Sequence, residues 1–459
     1  MTADPLFPEA TKPPKKKKGN REKGKRPPRI RTPQGNYVAE WFGHRVWPVV
    51  DRSEEARRHQ AQRACPFLSQ ATGEHTECIK KAKGWDEPYG VCTINSTSNG
   101  TPQDWIACPY RTLDQHFTLL ASAVRTSYAV DDQVQIALLP LTVLHKLEQR
   151  ERIRDLLARG GRVFLFSSQK LGGEIDLSET PASPGALVDT SVVEVSAVDA
   201  SGAPSTFGRH LFYEIQTADF HGSPLHVATR LKALCPRVES GTEPPEDYHG
   251  PLLQAMERGE NVCGDKVEGP NKANIFKRTI YQMIFKMALA RHPESEGFAI
   301  VLPVAVWESW LRHLGQPRLL PVGGDPDHVA LLAPDERVET VAATNNAAVF
   351  VFEIDTTSAE SPHPLRLVKR VTCSVDALIH HTFRAASGKA MEHNVVEGFR
   401  KQLMDRVRKG SLNQLQPEVK TKRLPRASPT SVDTAVPSIH ATRTETASGT
   451  VYSETPEDA

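Results

Sequence analysis

No stretch of this 459-residue chain holds the roughly 18 consecutive apolar residues that a membrane-spanning helix needs, which excludes a helical anchor. The amino terminus carries Lys-Pro clusters where a secretory leader needs an apolar stretch. The expectation is therefore a soluble, cytoplasmic protein with no membrane partner. Cysteine is sparse, at seven residues, and no two are spaced Cys-x-x-Cys. That combination argues against a disulfide framework and against a thiol redox enzyme. No internal repeat is present. Net charge is nearly absent as well, since 57 Lys and Arg stand against 55 Asp and Glu.

What is present is unevenly distributed. Eleven basic side chains lie between Lys12 and Arg31, with only Asp4, Glu9 and Glu22 to offset them in residues 1–36, so that arm carries +8 and the remainder −6. The arm has hardly any large apolar residue, cannot bury enough surface to offset the entropy of ordering, and reads as disordered. Its charge suits either non-specific attraction to nucleic-acid phosphates or a solvated tail. Residues 411–459 are rich in Ser, Thr and Pro and read as a second disordered tail. Between them, 39% apolar and 24% charged content over the chain supports a packed core of two or three domains. Residues 37–125, turn-rich from Cys65 to Arg111, read as a small metal-held module, and residues 126–410 as the main domain.

The main domain has an α/β pattern. Strands are expected at Gln133–Pro140, Arg162–Ser167, Val188–Ser196, Arg209–Thr217, Gly297–Leu302 and Ala348–Ile354. Helical spacing runs from Val143 to Leu157 and stops at Gly160-Gly161. A long helix is expected over Asn274–Ala290, opened by Glu268-Gly269-Pro270-Asn271. Strands interleaved with helices predict a mixed sheet flanked by helices.

Three constellations bear on chemistry. Cys65, Cys78, Cys92 and Cys108 fall in one 44-residue stretch, whereas Cys235, Cys263 and Cys373 are scattered as small core residues would be. Four clustered thiols suit a closed, structural iron or zinc site, and four buried unliganded cysteines are the alternative. Asp189 and the segment Glu214-Ile215-Gln216 form the second set: on a strand, Glu214 and Gln216 share a face while Ile215 points to the core. Asp189, Glu214 and the Ile215 carbonyl offer oxygen ligands to a magnesium ion, with Gln216 orienting water or phosphate. A row of exposed polar residues is the plainer reading of the same pattern. Third, Arg278, Gln282 and Lys286 recur every four residues on the long helix opposite Ile280, Ile284 and Met287. With Lys277, they make either a DNA-contacting face or an ordinary solvated one. His44 and His221 stand alone and read as structural.

The segments Glu40-Trp41-Phe42-Gly43-His44-Arg45-Val46-Trp47-Pro48, Cys65-Pro66-Phe67, Gly90-Val91-Cys92, Cys108-Pro109, Lys170-Leu171-Gly172-Gly173-Glu174, Glu214-Ile215-Gln216-Thr217 and Asp219-Phe220-His221-Gly222-Ser223 occur in this order. Glu268-Gly269-Pro270-Asn271, the helix from Asn274 to Lys286 and Ser309-Trp310-Leu311-Arg312-His313-Leu314 follow them. Together they resemble the NotI family of Type II restriction endonucleases, over most of the chain between Tyr37 and about residue 385. The resemblance implies a PD-(D/E)xK nuclease core and an N-terminal module whose iron is bound by Cys65, Cys78, Cys92 and Cys108. It implies Mg2+-dependent cleavage of double-stranded DNA by a homodimer at a palindromic, GC-rich site, leaving 5′-phosphate ends. Asp189, Glu214 and Gln216 are then the catalytic set, with Glu174 as a further acidic member and Gln216 where most of the superfamily has lysine. A bacterial restriction-modification system with a cognate DNA methyltransferase is implied too. The competing expectations are a non-catalytic, metal-stabilised DNA-binding protein and a repair or recombination nuclease on the same core.

Overall fold

The aromatic-rich segment that begins at Tyr37 forms strand β1 (Tyr37–Trp41), which turns tightly into β2 (His44–Arg45). Phe42 and Gly43 both have positive φ, 48° and 82°, as a two-residue hairpin turn requires, and a Cβ on Gly43 would fall 2.4 Å from Pro66 Cγ. β1 also pairs with β3 (Val91–Ser98), and β3 pairs with β4 (Thr101–Ile106), completing a four-stranded sheet. The stretch expected to be irregular therefore contains a hairpin, and it also holds the short helix α2 (Pro66–Thr72). The dipeptide Asn99-Gly100 between two Thr- and Ser-bearing runs is the hairpin signal.

This computed structural model describes residues 35–411 apart from 83–84, 99, 180, 182–184, 240, 265, 345–346 and 389–394. Residues 1–34 of the basic arm and 412–459 of the C-terminal tail lie outside the described residues. The central sheet has nine strands: β5 (Ile136–Pro140), β6 (Arg162–Ser168), β9 (Thr190–Val198), β10 (Pro204–Ile215), β11 (Ser295–Pro303), β12 (Leu320–Val322), β13 (Asp325–Leu331), β14 (Ala347–Ile354) and β15 (Leu365–Cys373). A separate two-stranded ribbon, β7 (Ile175–Leu177) and β8 (Ala186–Val188), lies between β6 and β9 in sequence. The spatial order is β12-β13-β15-β14-β11-β10-β9-β6-β5, with parallel pairs β5/β6, β10/β11, β11/β14 and β13/β15 and the rest antiparallel. It is a mixed sheet in an α/β protein.

Helices flank both faces, so the strands need apolar residues on both sides. Leu211, Tyr213, Val301, Phe350 and Phe352 join one core, together with β1 and residues of α2 (Pro66–Thr72), α3 (Thr118–Ser127), α5 (Leu225–Leu234) and α6 (Gly250–Glu257). Phe212, Ile300, Leu302, Val349 and Val351, the alternate positions, join the other core with α7 (Lys272–Leu289), α8 (Val304–His313) and α10 (Val375–Ile379). Helix α4 (Leu147–Ala158) packs on Val163, Leu165 and Val195. Asn271 caps α7 by accepting the Asn274 N–H at 3.2 Å, which starts that helix two residues earlier than its apolar spacing predicts. The chain divides into two units, residues 1–395 and 396–459. The helix Val395–Ser411 exposes Phe399, Leu403, Met404 and Val407.

An ion pair with no solvent exposure ties the N-terminal sheet to the chain that follows it. Arg111 Nε and Nη2 donate to the two Glu40 carboxylate oxygens at 2.9 and 3.2 Å, and Nη2 also donates to the His363 carbonyl at 2.7 Å. Thr93 donates to the same carboxylate. Burial alone raises the Glu40 carboxyl, but Arg111 and Arg45 more than offset it and hold it below the usual carboxylate range. Removing one partner leaves the other charge stranded, so Arg111→Met is expected to cost about 3–5 kcal/mol in a denaturant melt, and Glu40→Leu/Arg111→Met much less. An unchanged midpoint for the single variant would contradict this role.

Candidate active site

Three strand ends meet at one edge of the central sheet because β9 runs antiparallel to both its neighbours. Thr190, the first residue of β9, is in register with Tyr213 near the end of β10 and with Ser168 at the end of β6. Asp189 immediately precedes β9, Glu214 stands near the end of β10, and Lys170 to Glu174 follow β6. Residues far apart in sequence are thus brought to one edge by hairpin topology alone.

Asp189 and Glu214 are locked together through the backbone. The Asp189 N–H donates to Glu214 Oε1 at 3.2 Å, and the Ile215 N–H donates to Asp189 Oδ2 at 3.1 Å. Val188 ends β8, paired with Ile175, and β9 starts at Thr190, so Asp189 stands at the junction between the two strands. Glu214 is 6% exposed; burial and the Asp189 charge raise its carboxyl, and the Lys286 ammonium opposes that rise. Glu174 is more exposed; its carboxyl is raised by partial burial and by Asp189, and lowered by Lys286. The preceding turn depends on glycine. Gly172 and Gly173 have φ of 114° and 95°, and a Cβ on Gly172 would come within 2.8 Å of Leu141 Cβ.

Gln216 shares the face of Glu214, as a two-residue repeat predicts, and both side chains meet helix α7. Thr279 donates to Gln216 Oε1, and Gln216 Nε2 donates to the Thr217 carbonyl at 2.6 Å. Seven residues further along α7, Lys286 Nζ lies 2.6 Å from Glu214 Oε2, with 3% and 8% of the two side chains exposed. Lys286 is therefore not part of a solvent-facing basic stripe, which corrects the expectation from four-residue spacing. Its helical phase explains the difference. Ile275, Thr279, Met283, Lys286 and Ala290 recur every three or four residues, and all are buried against the sheet. The rest of the expected stripe is exposed: Lys277 and Gln282 face solvent, and Arg278 pairs with Asp219 at 2.8 Å. Tyr281, 64% exposed, lies among them and was not singled out by the sequence pattern.

The four clustered cysteines are all buried in one core, and none is disulfide-bonded. Burial raises each thiol, and the neighbouring sulfurs raise Cys65, Cys78 and Cys92 further, Cys78 to about 12. Opposing this, backbone N–H groups of Phe67 and Leu68 favour the Cys65 thiolate, those of Lys80 and Gly90 favour Cys78, and those of Tyr110 and Arg111 favour Cys108. The Gly43 N–H points at Cys92 Sγ from 3.3 Å. Tyr110 connects the two regions: burial raises its hydroxyl, and so do Cys108, Glu174 and Cys65. Cys235, Cys263 and Cys373 are buried as well, Cys235 and Cys263 in the same core, where burial and the Cys235 sulfur raise the Cys263 thiol. His44 is a structural residue, bonded to Asp51 at 3.1 Å, Ser361 at 2.8 Å and His59 at 2.9 Å.

Among the described residues, no group of three or more His, Cys, Asp or Glu side chains is arranged to hold a metal ion as it stands. The donor chemistry is nonetheless sorted. Paired carboxylates at the sheet edge suit a hard divalent cation, and four sulfurs with N–H donors directed at them suit a soft one. No family model matches the chain, and no curated protein sequence matches it.

Proposed function

We propose that this chain is a Type II site-specific endonuclease related to the NotI family, hydrolysing both strands of double-stranded DNA at a palindromic, GC-rich site. The observation that carries this reading is the Asp189–Glu214 pair, interlocked at 3.1 and 3.2 Å at a strand edge, with Gln216 on the same face. The Asp189 charge acts on Glu214 as a like charge, so a cation held by both carboxylates would be favoured. Asp189 and Glu214 would hold magnesium, which when bound lowers the pKa of water and offsets charge on the phosphate. Gln216, neutral and fixed by Thr279, orients the phosphate or water without adding charge. Glu174, the exposed carboxylate, accepts the proton of the attacking water. The new bond joins that oxygen to phosphorus, the bond to the 3′ oxygen breaks, and the leaving oxygen takes a proton from solvent. Products are a 5′-phosphate and a 3′-hydroxyl.

In the same reading, Asp189, Glu214 and Gln216 lie on a PD-(D/E)xK core, and Cys65, Cys78, Cys92 and Cys108 hold a structural iron or zinc in the N-terminal module. Lys277, Arg278 and Gln282 contact DNA. A palindromic site calls for a two-fold homodimer, and a bacterial cytoplasm for a companion DNA methyltransferase. The buried Lys286–Glu214 pair also suits a second reading, in which the edge is structural and the protein binds DNA without cutting it.

Glu214→Ala is expected to slow Mg2+-dependent cleavage at least about 10²-fold while leaving sequence-specific binding in Ca2+ intact. A fully active variant would remove Glu214 from the catalytic set, and specific binding by a wild-type protein that never cuts would select the second reading. Cys92→Ser is expected to lose bound iron or zinc and thermal stability together. A stable variant with unchanged metal content would rule out the thiol site.

A further inference from the structure

The active-site edge has one buried basic side chain whose role the cleavage reading leaves open. Lys286 Nζ lies 2.6 Å from Glu214 Oε2, on the face where Gln216 provides no charge. Gln216 cannot substitute for it, because its amide, held by Thr279 and the Thr217 carbonyl, is neutral. A metal ion ligated by the same carboxylate would share that space with the ammonium, and two cations at one carboxylate oxygen repel. Lysine suits an exchange of partners, since its ammonium is carried on a flexible four-carbon stem while the backbone stays fixed in α7.

Building on the nuclease reading, we propose that Lys286 is an exchangeable counter-cation. In the free protein it neutralises Glu214, and with the divalent cation and DNA in place it passes to a non-bridging oxygen of the phosphate under attack. Lys286 thereby weakens metal binding to the free protein and strengthens catalysis on DNA. A lysine that served only as a structural partner would do neither.

The test compares wild type with Lys286→Gln and Lys286→Met, two neutral variants of which one conserves the length of the stem, and with Lys286→Arg. Mn2+ binding to the DNA-free protein is measured by electron paramagnetic resonance, and cleavage and Ca2+-supported DNA binding are measured in parallel. The neutral variants are expected to bind Mn2+ several-fold more tightly, yet to cut about 10²–10³-fold more slowly and to bind DNA in Ca2+ a few-fold more weakly, as loss of one phosphate contact implies. Lys286→Arg should keep wild-type Mn2+ affinity and cut at an intermediate rate. Neutral variants that bind Mn2+ as wild type does, or that lose Mn2+ affinity and melting temperature together, overturn the counter-cation role. Wild-type cleavage rates in those variants overturn the phosphate contact. A wild-type protein that cuts no DNA overturns the nuclease reading and the phosphate contact with it, while the Mn2+ comparison still decides the counter-cation role.

Discussion

Glu214 is a carboxylate that the fold buries and must therefore neutralise. Taking such a charge out of water costs several kcal/mol unless partners replace the lost hydration. Here the partners come from two places, the Asp189 N–H just before β9 and Lys286 from α7, and they work against the Asp189 carboxylate, a like charge across the same edge. Each of these constrains its element. β9 begins directly after Asp189, β10 ends where its neighbour begins, and α7 must lie with its Thr279–Lys286 face down on the sheet. The architecture of the edge follows from the need to hold one acidic group in place.

The N-terminal sheet solves a similar problem with a different chemistry. Glu40 and Arg111 are paired without solvent, and Arg111 also binds the carbonyl of His363, in the connection between β14 and β15. Arg111 lies over the Phe67 ring, with the ring centroid 5.0 Å away. It also pulls the Cys108 thiol down, while Glu40 raises Cys92. The ion pair therefore sits beside the thiol cluster, where burial outweighs either of its charges. Tyr110 carries that proximity on to Glu174, so the clustered cysteines and the carboxylate edge are neighbours within one compact unit.

Much of the sheet edge was legible in the sequence because it is governed by short periods. The two-residue repeat put Glu214 and Gln216 on one face and Ile215 on the other, and buried runs such as Ala348–Ile354 marked strands wherever apolar residues filled both faces. Lys286 was misread for a reason that is equally local. A polar residue every four positions suggests a solvent stripe, but Lys286 also falls on the three- and four-residue rhythm of Ile275, Thr279, Met283 and Ala290, the buried arc. Only the identity of the strand end beneath α7 decides between the two. The Glu40–Arg111 pair left no local signal at all, since a contact between residues 71 apart in sequence has no period. The β3–β4 hairpin was missed although Asn99-Gly100 announces it, because Thr, Ser and Asn in its strands look like loop composition.

The proposed nuclease activity requires that the paired carboxylates at this edge cut DNA at one sequence. The most direct measurement is to digest a phage genome of known sequence with the purified protein in Mg2+ and sequence every new end. A site-specific nuclease leaves ends that all derive from one palindromic site and carry 5′-phosphates. Random ends, or an intact genome, would contradict it.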